Sequence, residues 1–598
     1  MKILVLHNNN VPFFLRSNED YQLKEGINIH SVILKYESNI SNQTYDSFIC
    51  GKLSFLKDEQ FDIIISPYSF NRDNYMEYSG LRVATHIRLT KEWHHLTVPI
   101  LFLGPDDIDD MIKLSDFASI LTSYRVFMYD KHEEDDIESI IRETVRDNQY
   151  DSDTEKQYHS SRRYAKMVYK LRIKTPANYA THHSVANEWA IHRWIDMIKW
   201  GGKVPEVKDK SILEQLYFKC LIAKVAILDG VRESFSKKYK KNNPTSPIIS
   251  GIEGKRIIYF DDEGDKGWYS LLGCIFEESK AKLNPFPVDK GKSVEQMLQD
   301  AQLFADKNPG DCYLIDLRLH DDDFGSDVKP NELSGYKLAD YIKNDKENGN
   351  KGRQVVFFSA SNKIWNYEEI QSGIGRCSFI VKESPEYNYT RKETDANFCD
   401  FKNAIKTAID KSYISDYVNI LKHCQSMRAQ SWNALNQFVD MLLYDEKGTV
   451  KYNVLNLYVF IDGYLSNKYS LDASHLLLNT NSSPLCDFNP QFVIIDKRER
   501  NDGYKHIRFR KSIFERYDSR NENTLDITQN SEFPVVMVAL RYYYKMSEEN
   551  CNKVQRLRTE RNRCVAHNGG ETNLSISDLR DIFESIVVPI IKKDFGIH

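Results

Sequence analysis

The spacing of apolar positions divides the chain into four parts. Two parts, residues 1–140 and 251–395, carry short apolar runs typical of buried strands, with helical spacing between the runs. The other two, 141–250 and 396–598, have apolar residues mainly every three or four positions. Because strands that alternate with helices form doubly wound parallel sheets, we predict two doubly wound α/β domains. A helical connector is expected between them, and a helical domain at the C-terminal end.

The first α/β domain has polar but uncharged residues after its strands. Apolar runs lie at 3–6, 61–67, 98–104 and 124–129. Asn8 and Asn9 follow the first run, and Ser66 lies in the second. Since these strand ends carry no carboxylate, this domain is predicted to be a structural or dimerising unit without chemistry of its own.

The strands of the second α/β domain end in acids. The run at 256–260 is followed by Asp261 and Asp262, and the run at 313–315 is followed by Asp316. Neighbouring strands of a parallel sheet bring such residues to one edge. Three carboxylates at one place repel each other unless a cation neutralises them. A hard cation that prefers oxygen ligands, such as Mg²⁺, is therefore expected at Asp261, Asp262 and Asp316.

Two further strand ends add a hydroxyl and an amine. Ser359 lies in the apolar run at 354–360, and Lys382 ends the run at 377–382. This set is suited to phosphoryl transfer to a carboxylate, because Asp316 can attack phosphorus while Lys382 and the metal neutralise the phosphoryl oxygens. Ser359 would donate a hydrogen bond to the acyl phosphate.

These motifs, DDE, IDLRL, FFSAS and VKESP in that order, resemble the receiver domains of two-component response regulators. Ser359 and Lys382 are 23 positions apart, close to the spacing of that family. The resemblance implies phosphorylation of Asp316 by a histidine kinase or a small phosphodonor. Two features depart from the family pattern: the stretch between Asp316 and Ser359 is longer, and the proline after the lysine is displaced to Pro385. By the same comparison, residues 1–140 resemble a receiver that has lost its acceptor, and the resemblance implies a five-stranded, flavodoxin-like sheet in both α/β domains. A receiver that keeps these residues and serves only as a docking module is the alternative.

The C-terminal part is predicted to be helical at 401–421, 432–443 and 454–467, with a β-hairpin inserted. The hairpin arms, 492–495 and 504–511, flank the turn sequence Asn501-Asp502-Gly503. Arg498, Arg508 and Arg510 lie in or beside this hairpin, where they would contact an RNA backbone. The alternative is a charged face that is simply solvated.

A second group of chemically useful residues follows the hairpin. Arg561, Asn562 and His567 lie in a helical stretch that ends at Asn568-Gly569-Gly570. A helical bundle with R-N-x-x-x-x-H resembles the HEPN family, whose nuclease motif is R-x(4–6)-H. The resemblance implies a metal-independent endoribonuclease with a site shared between two chains. In it the histidine moves a proton and the arginine stabilises the phosphorane. The alternative is a dimerising bundle in which Arg561 and His567 cap a helix.

Composition places few limits on this picture. The chain has 598 residues, a net charge of −5 and ten cysteines, none in a C-x-x-C. That cysteine usage favours a reducing cytoplasm, and we expect no signal peptide and no membrane span. The leading hypothesis is a phosphorylation-controlled ribonuclease of a bacterial stress, toxin or anti-phage response, acting as a homodimer. The competing hypothesis is a response-regulator scaffold whose helical bundle only binds a protein or RNA.

Overall fold

A computed structural model describes most of the chain. The described residues are 1–8, 26–36, 41–71, 74–104, 108–129, 137–146, 152–175, 182–206, 211–235, 245–324, 328–360, 370, 374–375, 377–383, 390–444, 449–472, 476–487, 532–566 and 572–597.

The first domain contains a five-stranded parallel sheet in the order β2-β1-β3-β4-β5. Its strands are β1 (Lys2–His7), β2 (Asn28–Ile33), β3 (Ile63–Ser66), β4 (Ile100–Leu103) and β5 (Val126–Tyr129). Its helices are α1 (Asn42–Lys52), α2 (Ser79–Leu89), α3 (Ile108–Leu114) and α4 (Ile137–Arg146). Successive side chains of β1 enter different cores, Leu4 on one face and Val5 on the other. The sheet is therefore covered on both faces, as expected of a doubly wound domain.

The connector contributes to the cores of both α/β domains. It contains α5 (Ser152–His159), α6 (Arg162–Lys170), α7 (His182–Met197) and α8 (Leu216–Phe235). Residues of α5, α6 and α8 belong to the core of the first domain. Helix α7 instead packs into the second domain, where Trp194 contacts Trp268, Phe358, Phe398 and Phe401.

The second domain repeats the strand order of the first, here β7-β6-β8-β9-β10. Its strands are β6 (Arg256–Phe260), β7 (Lys282–Phe286), β8 (Cys312–Ile315), β9 (Val355–Ser359) and β10 (Ser378–Val381). Its helices are α9 (Trp268–Glu278), α10 (Val294–Lys307), α11 (Ser334–Asn344) and α12 (Arg391–Asp410). The two parallel five-stranded sheets confirm the predicted fold class of both α/β parts. The edge strands β2 and β7 were not located from the sequence.

Among its described residues, the C-terminal part is helical with one small sheet. It contains α13 (Ile414–Lys422), α14 (Ala429–Tyr444), α15 (Thr449–Lys468), α16 (Glu532–Val538), α17 (Glu548–Arg561), α18 (Ile576–Ile582) and α19 (Val588–Phe595). Turns of π-helix follow α16, α17 and α18. Strands β11 (Tyr469–Leu471), β12 (Leu476–Asn479) and β13 (Pro484–Asp487) form an antiparallel sheet that the sequence did not predict. The hairpin predicted at 492–511 lies outside the described residues.

The predicted helix at 401–421 was wrong in one respect, because it is two helices. Helix α12 ends at Asp410, and α13 begins at Ile414 after a short turn. This turn joins the second α/β domain directly to the bundle.

A loop of the second α/β domain also docks on the bundle. The buried Asn350, between α11 and β9, donates from Nδ2 to the carbonyl of Ser415 (2.9 Å) and to Asn419 Oδ1 (2.8 Å). Next to it, the Lys351 ammonium lies 2.6 Å from Asp440 Oδ1. The second domain and the bundle are thus joined both covalently and through polar contacts, of which Asn350 is the buried member.

No helix in the described part of the chain is long and apolar enough to cross a membrane.

Candidate functional site: an acidic cluster at the strand ends

The three predicted carboxylates lie together at one edge of the second sheet. Strands β6 and β8 are neighbours with Phe260 opposite Ile315, so the residues that follow them meet. Carboxylate oxygens of Asp261, Asp262 and Asp316 all lie within 4.8 Å of one another, and all three residues are buried. Parallel register therefore produces the cluster that the sequence predicted.

Lys382 and Ser359 complete the cluster. The Lys382 ammonium donates to Asp316 Oδ2 at 2.6 Å and to Asp261 Oδ2 at 2.5 Å. The Ser359 hydroxyl donates to Asp316 Oδ1 at 2.6 Å. Both residues are fully buried, because β9 and β10 end at the same edge as β8. Each oxygen of the Asp316 carboxylate therefore accepts a hydrogen bond from a different side chain.

Buried charge at this edge is not balanced by the protein alone. The one buried ammonium, Lys382, pairs with Asp261 and Asp316 but not with Asp262, and Lys290 approaches Asp262 Oδ2 only to 3.4 Å from a half-exposed position. Burial alone would lower the pKa of Lys382, but Asp261 and Asp316 outweigh burial and raise that pKa. Burial, reinforced by repulsion from Asp261 and Asp316, raises the pKa of Asp262 well above its usual value.

The cluster fits a divalent cation such as Mg²⁺. Asp262 Oδ1 is buried and has no hydrogen-bond partner in the described part of the chain. An orphaned carboxylate oxygen costs free energy, and a hard cation with oxygen ligands removes that cost. Asp261, Asp262 and Asp316 supply three such oxygens. This fit supports the predicted metal residues, which stay a prediction.

Several neighbours of the cluster were missed by the sequence analysis. The Arg318 backbone N–H donates to Asp316 Oδ1 at 3.1 Å, and burial lowers the pKa of its guanidinium while Asp316 raises it. Asp323 lies in the acidic stretch after β8, is buried, and accepts from the backbone N–H groups of Leu319 and Ser334. Asp323 thus organises the start of the long stretch between Asp316 and Ser359.

Helix α7 forms hydrogen bonds with one residue beyond the acidic end of β6 and one residue beyond the basic end of β10. Asn187 Nδ2 donates to Glu263 Oε2 at 2.5 Å, and Trp194 Nε1 donates to Glu383 Oε1 at 3.4 Å. Glu263 is next to Asp262 and Glu383 is next to Lys382. No local sequence signal pairs these positions, because the contacts join segments 76 and 189 residues apart.

The motif of the C-terminal part is described only in part. Arg561 ends α17, and its guanidinium lies 4.3 Å from the ring centroid of Tyr458 and donates to Asn562 Oδ1 at 2.7 Å. Asn562 begins the π-helical turn that continues α17. His567 lies outside the described residues, as do Arg498, Arg508 and Arg510. The Arg561–Asn562 pair is therefore fixed on the bundle.

Comparison with known proteins bears on the first α/β domain. A family model described as an inactive receiver domain matches residues 18–129. No curated protein matches the chain significantly. The match ends at the last residue of β5. It confirms the prediction that the first domain is receiver-like and without an acceptor site.

Proposed function

We propose that the second α/β domain accepts a phosphoryl group on Asp316, and that this event controls the C-terminal helical part. The observation that carries the proposal is the buried contact of Asp316 with both Ser359 and Lys382 beside two further carboxylates. The shared strand order of the two sheets supports it, since the first domain matches a receiver model.

The residues have separate roles in the transfer. An oxygen of Asp316 forms a bond to phosphorus, and the bond from phosphorus to the donor's leaving group breaks, with the electron pair leaving on that group. Lys382 stays protonated and neutralises negative charge on the phosphoryl oxygens. Ser359 turns its hydroxyl from the carboxylate to the new acyl phosphate. Mg²⁺ held by Asp261 and Asp262 would supply further charge neutralisation.

Phosphate incorporation tests this assignment. Purified protein is incubated with a radiolabelled small phosphodonor and Mg²⁺, and the label on the protein is measured. We expect Asp316→Asn to abolish incorporation. Asp311→Asn is the matched control, because Asp311 lies just before the same strand, at its opposite end, where it pairs with Lys255. Label retained by Asp316→Asn would exclude Asp316 as the acceptor.

We propose RNA cleavage at Arg561, Asn562 and His567 as the output. The stacking of Arg561 on Tyr458 and its hydrogen bond to Asn562 support this, since they fix the cation where a phosphate could reach it. In this reaction the ribose 2′-oxygen bonds to phosphorus and the 5′-oxygen leaves. His567 moves the proton, and Arg561 stabilises the pentavalent charge. Because the implied site is shared by two chains, the active form is a homodimer.

A cleavage assay separates this output from a scaffold role. Total RNA is incubated with the protein, with and without a beryllofluoride mimic of the phosphorylated state. We expect Arg561→Ala and His567→Ala to abolish cleavage. Arg556→Ala, an exposed arginine of the same helix that faces Asp578, should leave cleavage intact. Cleavage that survives both motif substitutions would exclude the site, and absence of cleavage in every state would favour a scaffold that binds RNA or protein.

A route for control is provided by contacts between the second domain and the bundle. Helix α11 begins beside the acceptor loop, where Leu319 N–H donates to Ser334 Oγ at 2.9 Å. Its other end leads to the Asn350 loop that docks on α13 and α14. A change at Asp316 can therefore reach the bundle through one helix.

A further inference from the structure

A pocket lies between the first domain and the connector, and its lining contains no residue of the acidic cluster. It has a volume of about 530 Å³, within the range of small-molecule sites. Helices α1 and α2 form one side of it, and the connector segments before α7 and at the start of α8 form the other. Residues at the N-terminal ends of α1 and α2, Ser41 and Ser79, both line the pocket.

The pocket combines aromatic faces with positive charge. Three aromatic side chains line it, Tyr36, Phe117 and Tyr217. Arg172 and Lys174 lie at its connector side, and neither forms an ion pair among the residues that the structure describes. Two helix N-termini add partial positive charge. Aromatic rings and an anion-binding edge in one pocket suit a ligand with a flat base and a phosphate.

Two of the three acidic side chains in the described lining already accept hydrogen bonds from the protein itself. Asp46 accepts from Arg82 Nε and from His86 Nε2, both at 2.8 Å, and from the Leu216 N–H at 3.0 Å. Glu77 accepts from two serine hydroxyls and from the backbone N–H groups of Phe70 and Asn71. These two acids therefore do not cancel the cations of the connector, and Asp116 is the remaining acid in the described lining.

Gln215 supplies independent evidence of a ligand. Its side chain lines the pocket and is 6% exposed, and its Oε1 has no hydrogen-bond partner in the described part of the chain. A buried amide oxygen without a donor costs free energy. The amino group of a nucleobase would donate the missing hydrogen bond to this oxygen.

We propose that this pocket binds a mononucleotide, with the phosphate at Arg172, Lys174 and the helix N-termini and the base among the aromatic rings beside Gln215. The site is independent of the acidic cluster and of the function proposed for it. Its two connector segments flank α7, the helix that contacts Glu263 and Glu383.

Calorimetric titration of the full chain tests the assignment. The ligands are AMP, GMP, adenosine and inorganic phosphate, with EDTA present so that no metal is held at the acidic cluster. We expect at least one mononucleotide to bind, and the nucleoside and phosphate alone to bind about tenfold or more weakly. No binding of either mononucleotide would overturn the proposal, and so would phosphate that binds as tightly as the nucleotides.

Matched charge reversals locate the site. Arg172→Glu with Lys174→Glu should weaken nucleotide binding about tenfold or more. Arg162→Glu with Arg163→Glu, two exposed arginines of the same connector outside the pocket, should not change it. Gln215→Leu should weaken binding without lowering the melting temperature, since it removes an unsatisfied oxygen. Equal affinity in all variants would place the nucleotide elsewhere and overturn the proposal.

Discussion

Buried charge in the first α/β domain lies in the helical layer, whereas in the second it lies at the ends of the strands. In the first, Asp46, Arg82, His86 and Lys219 form a network between α1, α2 and α8. In the second, three carboxylates meet Lys382 at the sheet edge. The two sheets have the same strand order, so topology alone does not decide where chemistry is placed.

The two networks also differ in how completely they are satisfied. In the first domain the Lys219 ammonium donates to Thr90 Oγ1 (2.7 Å), Cys50 Sγ (3.1 Å) and His86 Nδ1 (3.2 Å). A donor at Nδ1 leaves the proton of neutral His86 on Nε2, which donates to Asp46. In the second domain Asp262 keeps an orphaned oxygen among the described residues. The network around Asp46 is fully hydrogen-bonded, or closed, and fixes the connector to the first domain. The network around Asp262 is open, because one oxygen is orphaned, and it is suited to bind a cation.

The largest loss of stability is expected when the closed network around Asp46 is broken. Asp46→Ala leaves Arg82 and His86 buried without their acceptor, which costs on the order of 3–5 kcal/mol. Hydrogen exchange of peptides from α1 and α2 measures the local loss. Asp58→Ala, an exposed acid of the same domain, should change stability little. A small effect of Asp46→Ala would mean that the network does not hold the domain together.

The next largest effect is a dependence of the stability of the first domain on pH. Burial, reinforced by Lys219, lowers the pKa of His86 from 6.5 to about 4, and burial lowers the pKa of His95 to about 4. The folded domain resists a proton that the unfolded chain accepts. Its stability is therefore complete above pH 6.5 and falls toward pH 4, on the order of 3 kcal/mol per histidine.

Urea denaturation followed by hydrogen exchange between pH 4 and 7 checks this dependence. His86→Gln should remove the share of His86, roughly half of the dependence, and leave the share of His95. His423→Asn, which changes an exposed histidine of the C-terminal part, should leave the dependence unchanged. A flat profile in the unsubstituted protein would show that these histidines are not held neutral.

The smallest change in stability is expected at the open network around Asp262. Asp262→Asn removes one of three crowded carboxylates, so the metal-free protein should gain about 1 kcal/mol, a rise of roughly 2–4 °C in melting temperature. The same variant should lose any stabilisation by Mg²⁺. Asp265→Asn, an exposed acid nearby, serves as the control in thermal melts with EDTA or Mg²⁺. A destabilised Asp262→Asn would mean that this carboxylate holds the fold rather than a cation.

The sequence predicted the candidate site better than it predicted the strands around it. Asp261, Asp316, Ser359 and Lys382 follow or end strongly apolar runs, and parallel register then brings them together. Two of the four edge strands gave no such signal: β2 reads NIHSVI, and β7 contains Pro285, which an edge position tolerates.

Contacts between residues far apart in the sequence could not be predicted from the apolar pattern. The pairing of Asn187 with Glu263 depends on how α7 leaves the connector and packs on another domain. The break between α12 and α13 falls at Lys411-Ser412-Tyr413, which contains neither glycine nor proline. Apolar spacing identifies a helix but does not determine which domain it joins.

The position of α7 has a consequence for synthesis of the chain on the ribosome. Trp194 is made about 200 residues before Phe401, one of the rings against which it packs. At about 5–20 residues per second, α7 waits roughly 10–40 s before its docking surface exists. During that time its apolar face lacks part of its native partner surface, so translation speed sets how long a nascent chain carries an incompletely docked tryptophan.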